Sequence, residues 1–176
     1  MALDPLKNVY LVGPRASGKS TLGRMLAQAL GRPFVDLDEA FVERVGRTIA
    51  EVVEADGWER FRELETEVLQ GVSGAGGQVV ATGGGAVLKA PNRELLGRGV
   101  VVYLQADAEA VVARLLAELK PDQRPALTDL SLEDEVRKTV LEREPYYLAC
   151  AHLIAPQRPL EELCGRIAVE LKAWKG

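Results

Sequence analysis

A chain of 176 residues fits one ordinary domain with a single core, and 47% hydrophobic with 27% charged residues is a globular composition, not a disordered one. A formal net charge of −4 excludes the broad basic field that a general nucleic-acid or membrane-surface binder needs, so important arginines must act locally. No apolar run reaches the ~18 residues of a membrane helix, the opening MALDPLKN has no secretory pattern, and the thiols of Cys150 and Cys164 lack metal spacing, which together point to a reducing cytoplasm and inert, buried cysteines.

The first predicted strand, Val9 to Val12, runs into GPRASGKS, residues Gly13 to Ser20, and then into a helix with the apolar stripe Leu22, Met25, Leu26, Ala29 and Leu30. Gly13, Gly18, Lys19 and Ser20 match G-x-x-x-x-G-K-[ST] in the strand–loop–helix context that lets backbone N–H groups and a helix N-terminus converge on a phosphate chain. Lys19 would reach the β- and γ-phosphates and the Ser20 hydroxyl would ligate magnesium. ATP or GTP is the implied ligand. The absence of an N-K-x-D guanine-reading signature counts against a GTPase, and the short chain leaves little room for a motor.

A second strand, Pro33 to Asp36, ends in FVDLDE. In extended chain Asp36 and Asp38 project from the same side, Asp36 toward the magnesium and Asp38 toward a hydroxylated acceptor; the alternative is that one of them caps a helix beginning near Glu39. Thr48 and Glu51 form a capping box, so two helical segments, about residues 37–72, fall between the second and third strands and are long enough to form a substrate-binding segment. Within the second, Trp58, Arg62 and Glu65 share a face beside Phe61, Leu64 and Val68, with Trp58 at the edge of an acceptor pocket.

The third strand, Gln78 to Thr82, runs into Gly83, Gly84 and Gly85, which leave the backbone bare for a ligand or make a plain tight turn. After a fourth strand, Val100 to Leu104, the stretch KPDQRPALTD has the composition of a lid loop, about residues 118–131. Val136, Val140, Arg143 and Tyr147 then share a helical face that turns Arg143 inward. A buried guanidinium needs an anion, which is either a protein carboxylate or a substrate carboxylate held by a bidentate fork. The fifth strand is His152 to Ala155, whose histidine has a packing or capping role, and the last helix presents Leu160, Leu163, Ile167, Leu171 and Trp174. Strands alternating with helices give an α/β fold, a parallel sheet covered on both faces.

GPRASGKSTLG, FVDLDE, GWERFRELE, VVATGGGAVL, QRPAL and EREPYY, in this order and at these spacings, resemble the shikimate kinase family over nearly the whole chain. The resemblance implies one P-loop kinase domain over residues 1–176, a five-stranded parallel sheet flanked by helices, nucleoside-monophosphate-kinase-like with a lid loop. It implies transfer of the ATP γ-phosphate, with magnesium, to the 3-hydroxyl of shikimate in chorismate and aromatic amino-acid synthesis. ATP would be held by Gly13, Ala16, Ser17, Gly18, Lys19, Ser20 and Thr21, with Arg114 and Pro159 around adenine and Arg124 swinging onto the phosphates. Shikimate would be held by Asp38, Arg62, Gly83, Gly84, Gly85 and Arg143, and magnesium by Ser20 and, through water, Asp36. Lys19, Asp38 and Arg124 would carry the catalysis, Asp38 as general base or orienting group. The partners implied are two small molecules, with neither nucleic acid nor membrane, acting on a monomer whose helical stripes account for its apolar residues.

Two departures from the family pattern are visible. Ala16 stands where a further glycine is usual and would stiffen the loop, and the last strand ends LIAPQRP where many relatives carry an aspartate, which bears on the adenine contacts. The alternatives are another small-metabolite kinase of the same fold, such as a gluconate kinase, and a nucleotide-dependent binding module without transfer.

Overall fold

Alternation along the strands sets the layers of the molecule. A computed structural model describes residues 3–117 and 131–174. In β1 (Val9–Val12), Val9 and Leu11 enter one apolar cluster while Tyr10 and Val12 enter another; in β4 (Val100–Leu104), Val100, Val102 and Leu104 oppose Val101 and Tyr103 in the same way. Each face of the sheet therefore has its own core, the arrangement of a parallel sheet buried on both sides.

With β2 (Phe34–Asp36), β3 (Val79–Ala81) and β5 (Leu153–Ala155), the strands pair all parallel in the order β2-β3-β1-β4-β5. The expected strands were longer by Pro33, Gln78, Thr82 and His152. Each of these adds a backbone bond beside the sheet, such as Val79 N–H to the Pro33 carbonyl at 2.9 Å, without extending a strand. The His152 imidazole serves the same edge: its Nδ1 accepts from Val101 N–H at 3.1 Å and its ring meets Trp174 edge-on, the packing and capping role expected of it.

On one face lie α1 (Lys19–Leu30) and α7 (Leu160–Lys172), which contribute Leu22, Leu26 and Ala27 and then Leu163, Ile167 and Leu171. Ala29, expected in the buried stripe, is exposed. The burial runs through Lys19, Leu22, Gly23, Leu26 and Ala27, a face one residue step away, because the helix begins at the buried lysine. On the other face lie α2 (Leu37–Val45), α3 (Ile49–Ala75) and α4 (Ala90–Leu96). The capping box of α3 is complete, with Thr48 N–H donating to Glu51 Oε2 at 2.7 Å and Glu51 N–H to Thr48 Oγ1 at 3.2 Å. Gly57, at φ 83° and ψ 170°, divides α3 into two helical runs.

The last pair, α5 (Ala108–Ala117) and α6 (Leu132–Cys150), encloses a small cluster of Ala106, Val111, Val112 and Val136. The expected lid falls outside the described residues except for Ser131, which caps α6. Leu141 and Leu148, seven apart on α6, are 71% and 44% exposed, so the helical stripes do not account for every apolar residue. Cys150 and Cys164 are free thiols; Cys164 is buried as expected while Cys150 is only partly so, and burial pushes both pKa values up. Among the described residues no helix is long and apolar enough to cross a membrane.

Candidate active site

The loop between β1 and α1 turns backbone toward a common hollow. Gly13 seats on the Leu104 carbonyl, Gly18 caps α1 without a side chain, and the first turn of α1 carries no acidic residue. The first-turn N–H groups are therefore offered to an anion. Lys19 is buried, and its ammonium donates to the carbonyls of Gly13 at 2.9 Å and Pro14 at 2.6 Å, with Ser17 Oγ at 3.4 Å, so the charge lies inside the loop that would receive phosphates. Ser17 is buried; Ser20 and Thr21 are exposed at the start of α1. Ala16 takes the left-handed conformation at φ 52°, alone in this among the described non-glycine residues. It is the departure noted in the sequence, and here it occupies a backbone state that favours glycine.

Arg114, from α5, donates to the Ala16 carbonyl at 2.9 Å. Pro159 is the residue before α7, and its neighbour Leu160 packs on Gly18. Arg114 thus reaches the phosphate loop from α5, and Pro159 stands next to the leucine that packs on it. Arg124 lies outside the described residues.

Asp36 and Asp38 do not share one face of a strand. β2 ends at Asp36, and Asp38 already stands in the first turn of α2. The cap reading applies to Asp36, whose Oδ1 accepts from Asp38 N–H at 3.0 Å, while its Oδ2 accepts from Ser20 Oγ at 2.5 Å. A hydroxyl and a carboxylate in contact beside a phosphate loop are hard oxygen donors of the kind magnesium takes. Among the described residues no group of three or more His, Cys, Asp and Glu is placed to hold a metal ion.

Asp38 instead faces a cleft at the carboxyl end of the sheet with Arg15, Trp58, Arg62, Glu65, Arg143 and the three glycines. The glycines form its floor. A Cβ on Gly83 would lie 2.8 Å from Glu65 Oε1 and one on Gly85 would overlap the Arg62 guanidinium, so bare backbone is what admits these side chains. Arg62 Nη1 donates to Glu65 Oε2 at 2.7 Å, and its guanidinium lies over the Phe61 ring at 4.9 Å. The internal partner considered for Arg62 is therefore present.

Arg143 approaches the same point from α6 and, among the described residues, has no carboxylate within ion-pair distance. Burial lowers its guanidinium pKa, and the Arg62 charge lowers it further. Burial likewise raises the Glu65 carboxyl above the ordinary range, against the pull of Arg62 and Arg143. Two guanidiniums converge near the buried Glu65 carboxylate, with Asp38 lining the same cleft. Arg15 also lines the cleft, half-buried, its pKa lowered by burial and partly restored by Glu135. Sequence reasoning passed over Arg15 because it fills an unspecified position of the phosphate-loop motif, and its side-chain direction follows from tertiary packing alone.

A family model described as Shikimate kinase matches residues 15–172. The chain belongs to the shikimate kinase family. It is 44% identical over 167 residues to shikimate kinase 2 of Enterobacter sp. (strain 638), covering 93% of this chain and 95% of that protein. Among solved structures it resembles the shikimate kinase of Acinetobacter baumannii in complex with shikimate, with a TM-score of 0.86 at 38% identity over 94% of this chain and 92% of that one. The shikimate kinase of Aquifex aeolicus gives a TM-score of 0.79 at 32% identity, covering 96% and 99%. The expected P-loop kinase fold is the fold of these shikimate kinases. The family's reaction, phosphorylation of shikimate by ATP with magnesium, is the reaction of this chain, and the gluconate-kinase and binding-module alternatives fall away.

Proposed function

We propose that this shikimate kinase divides its reaction between the phosphate loop and the glycine-floored cleft. Gly13, Ala16, Ser17, Gly18, Lys19, Ser20 and Thr21 hold the phosphates of ATP, and Arg114 and Pro159 flank adenine. In the cleft, Arg62 and Arg143 grip the carboxylate of shikimate while Gly83, Gly84 and Gly85 give it backbone to rest on. Asp38 then faces the 3-hydroxyl, orients it in line and accepts its proton. Residues 37–72 form the acceptor-binding segment; Arg124, carried by the lid of 118–131, neutralises charge on the transferring group and the lid excludes water. Ser20, with Asp36 through water, would hold magnesium. When bound, the ion offsets phosphate charge so that an oxygen nucleophile can approach. The chain works as a cytoplasmic monomer on small molecules, with no nucleic acid or membrane partner.

The observation that carries this reading is the convergence of Arg62 and Arg143 in one cleft, where Arg143, among the described residues, has no carboxylate within ion-pair distance. Removing either arginine is expected to cost about 1.5 to 3 kcal/mol of charge-assisted hydrogen bonding, roughly a tenfold to hundredfold loss in shikimate affinity, with ATP affinity barely altered. Arg62→Lys should recover only part of the loss, because the planar fork is gone. Calorimetric titration of both ligands with a melting curve checks this: if shikimate affinity is unchanged and only the melting temperature falls, Arg62 is merely the structural partner of Glu65.

A further inference from the structure

Tyr147 is buried to 1% exposure, yet no role above uses it. Its ring stacks on Tyr103 with centroids 5.1 Å apart, and its hydroxyl donates to the Gly84 carbonyl at 2.5 Å. A phenol has one proton to give, so with that proton committed to Gly84 its oxygen can only accept from a further partner. Arg143, one turn earlier on the same face of α6 and lining the same cleft, stands where its guanidinium can supply that donor. The phenol oxygen thus lies between the floor of the cleft and one of its cationic walls. Pro145 stands between the two residues inside α6 and cannot donate to the Leu141 carbonyl, so the backbone holds this turn less firmly than an ordinary helix would. The Tyr147–Gly84 bond supplies a constraint where the ladder lacks one. Tyr103 completes the stack but turns its own hydroxyl away, toward Glu144 Oε1 at 3.4 Å.

We propose that Tyr147 is a positioning residue for shikimate: its hydroxyl ties the Arg143 guanidinium to the Gly84 carbonyl and sets the angle at which the fork meets the substrate carboxylate. The inference rests on reading Arg143 as a carboxylate ligand. Removing the hydroxyl leaves a Gly84 carbonyl and an Arg143 N–H to find other partners, and the guanidinium rotates off its line. Ground-state grip on the acceptor weakens while the phosphate loop is untouched.

The test is a double-mutant cycle of Tyr147→Phe and Arg143→Ala on the full chain, with shikimate and ATP titrated separately and kcat, KM and melting temperature measured. Tyr147→Phe keeps the ring and its stack. It should raise the shikimate Kd and KM about tenfold while kcat at saturation and the ATP Kd stay within about twofold. In the Arg143→Ala background the same change should add no more than about twofold, because the group it positions is gone. Tyr103→Phe, which removes the other hydroxyl of the stack, should leave shikimate affinity as it was. The proposal is overturned if Tyr147→Phe binds shikimate normally while Arg143→Ala does not, or if its loss is undiminished in the Arg143→Ala background. A Tyr147→Phe chain that fails to fold would assign the hydroxyl to stability and equally overturn it. If Arg143→Ala itself leaves shikimate affinity intact, the carboxylate reading falls first and takes this inference with it.

Discussion

The phosphate loop and the acceptor cleft lie side by side at the carboxyl end of the sheet but are made of different material. The loop is a run of consecutive residues, 13–21, whose donors are mostly backbone N–H groups and a helix start. The cleft is made of side chains from the loop itself, α2, α3 and α6, over the glycine turn after β3. A backbone site tolerates side-chain changes at most positions; a site of converging side chains depends on how several elements pack. Lys19 is the exception on the loop side, since it brings a buried charge into the hollow.

The largest expected effect tests that exception. Lys19→Ala should lower turnover by about a hundredfold to a thousandfold while the circular dichroism of the folded chain persists. Near-normal turnover in a coupled ADP assay would show that the loop acts through backbone alone and break the distinction.

A smaller effect comes from the cleft side, through Glu65. Burial holds this carboxyl above its ordinary value of 4.5, so the folded chain keeps a proton that the unfolded chain releases, and stability falls as pH rises through that window. Glu65→Gln cannot lose that proton. Its melting temperature relative to the parent should be least favourable below pH 4.5 and improve as pH rises past it. Parallel melting curves across that range would mean that the Arg62 pair fully offsets burial at the carboxyl.

The smallest effect belongs to the loop again. Ala16→Gly relieves a left-handed alanine worth about 1 kcal/mol, offset in part by a more flexible unfolded chain. The melting temperature should rise by about 2 °C with ATP affinity within twofold. A fall in either would mean that the alanine, clamped through its carbonyl by Arg114, shapes the site and is not simply strained within it.

What could be read from the sequence follows the same division. The loop motif, the β-branched runs and the Thr48–Glu51 box are local, and the five strands and the cap came out within a residue of their structural bounds, whereas α4 and α5 were not foreseen. Arg62 and Arg143 were legible too, because helical spacing turns them inward. The separation of Asp36 at a strand end from Asp38 in a helical turn was not, since it depends on where β2 stops and α2 starts. Nor were Arg15 in the cleft and the bond from Tyr147 to Gly84, which joins residues 63 positions apart. No periodicity within either segment encodes such a contact.

The break at Gly57 bears on how such a cleft survives change in its own sequence. In an unbroken helix, losing or gaining one residue near Thr48 would rotate everything after it by about 100°, swinging Arg62 and Glu65 away from the glycine floor. Because the chain leaves helical geometry at φ 83° and ψ 170°, the angular phase of Trp58 to Glu65 is set by their own packing against Phe41 and the sheet. The run from Ile49 to Asp56 can therefore drift in length or register while the substrate-facing turn keeps its bearing. The joint insulates recognition from the segment that precedes it.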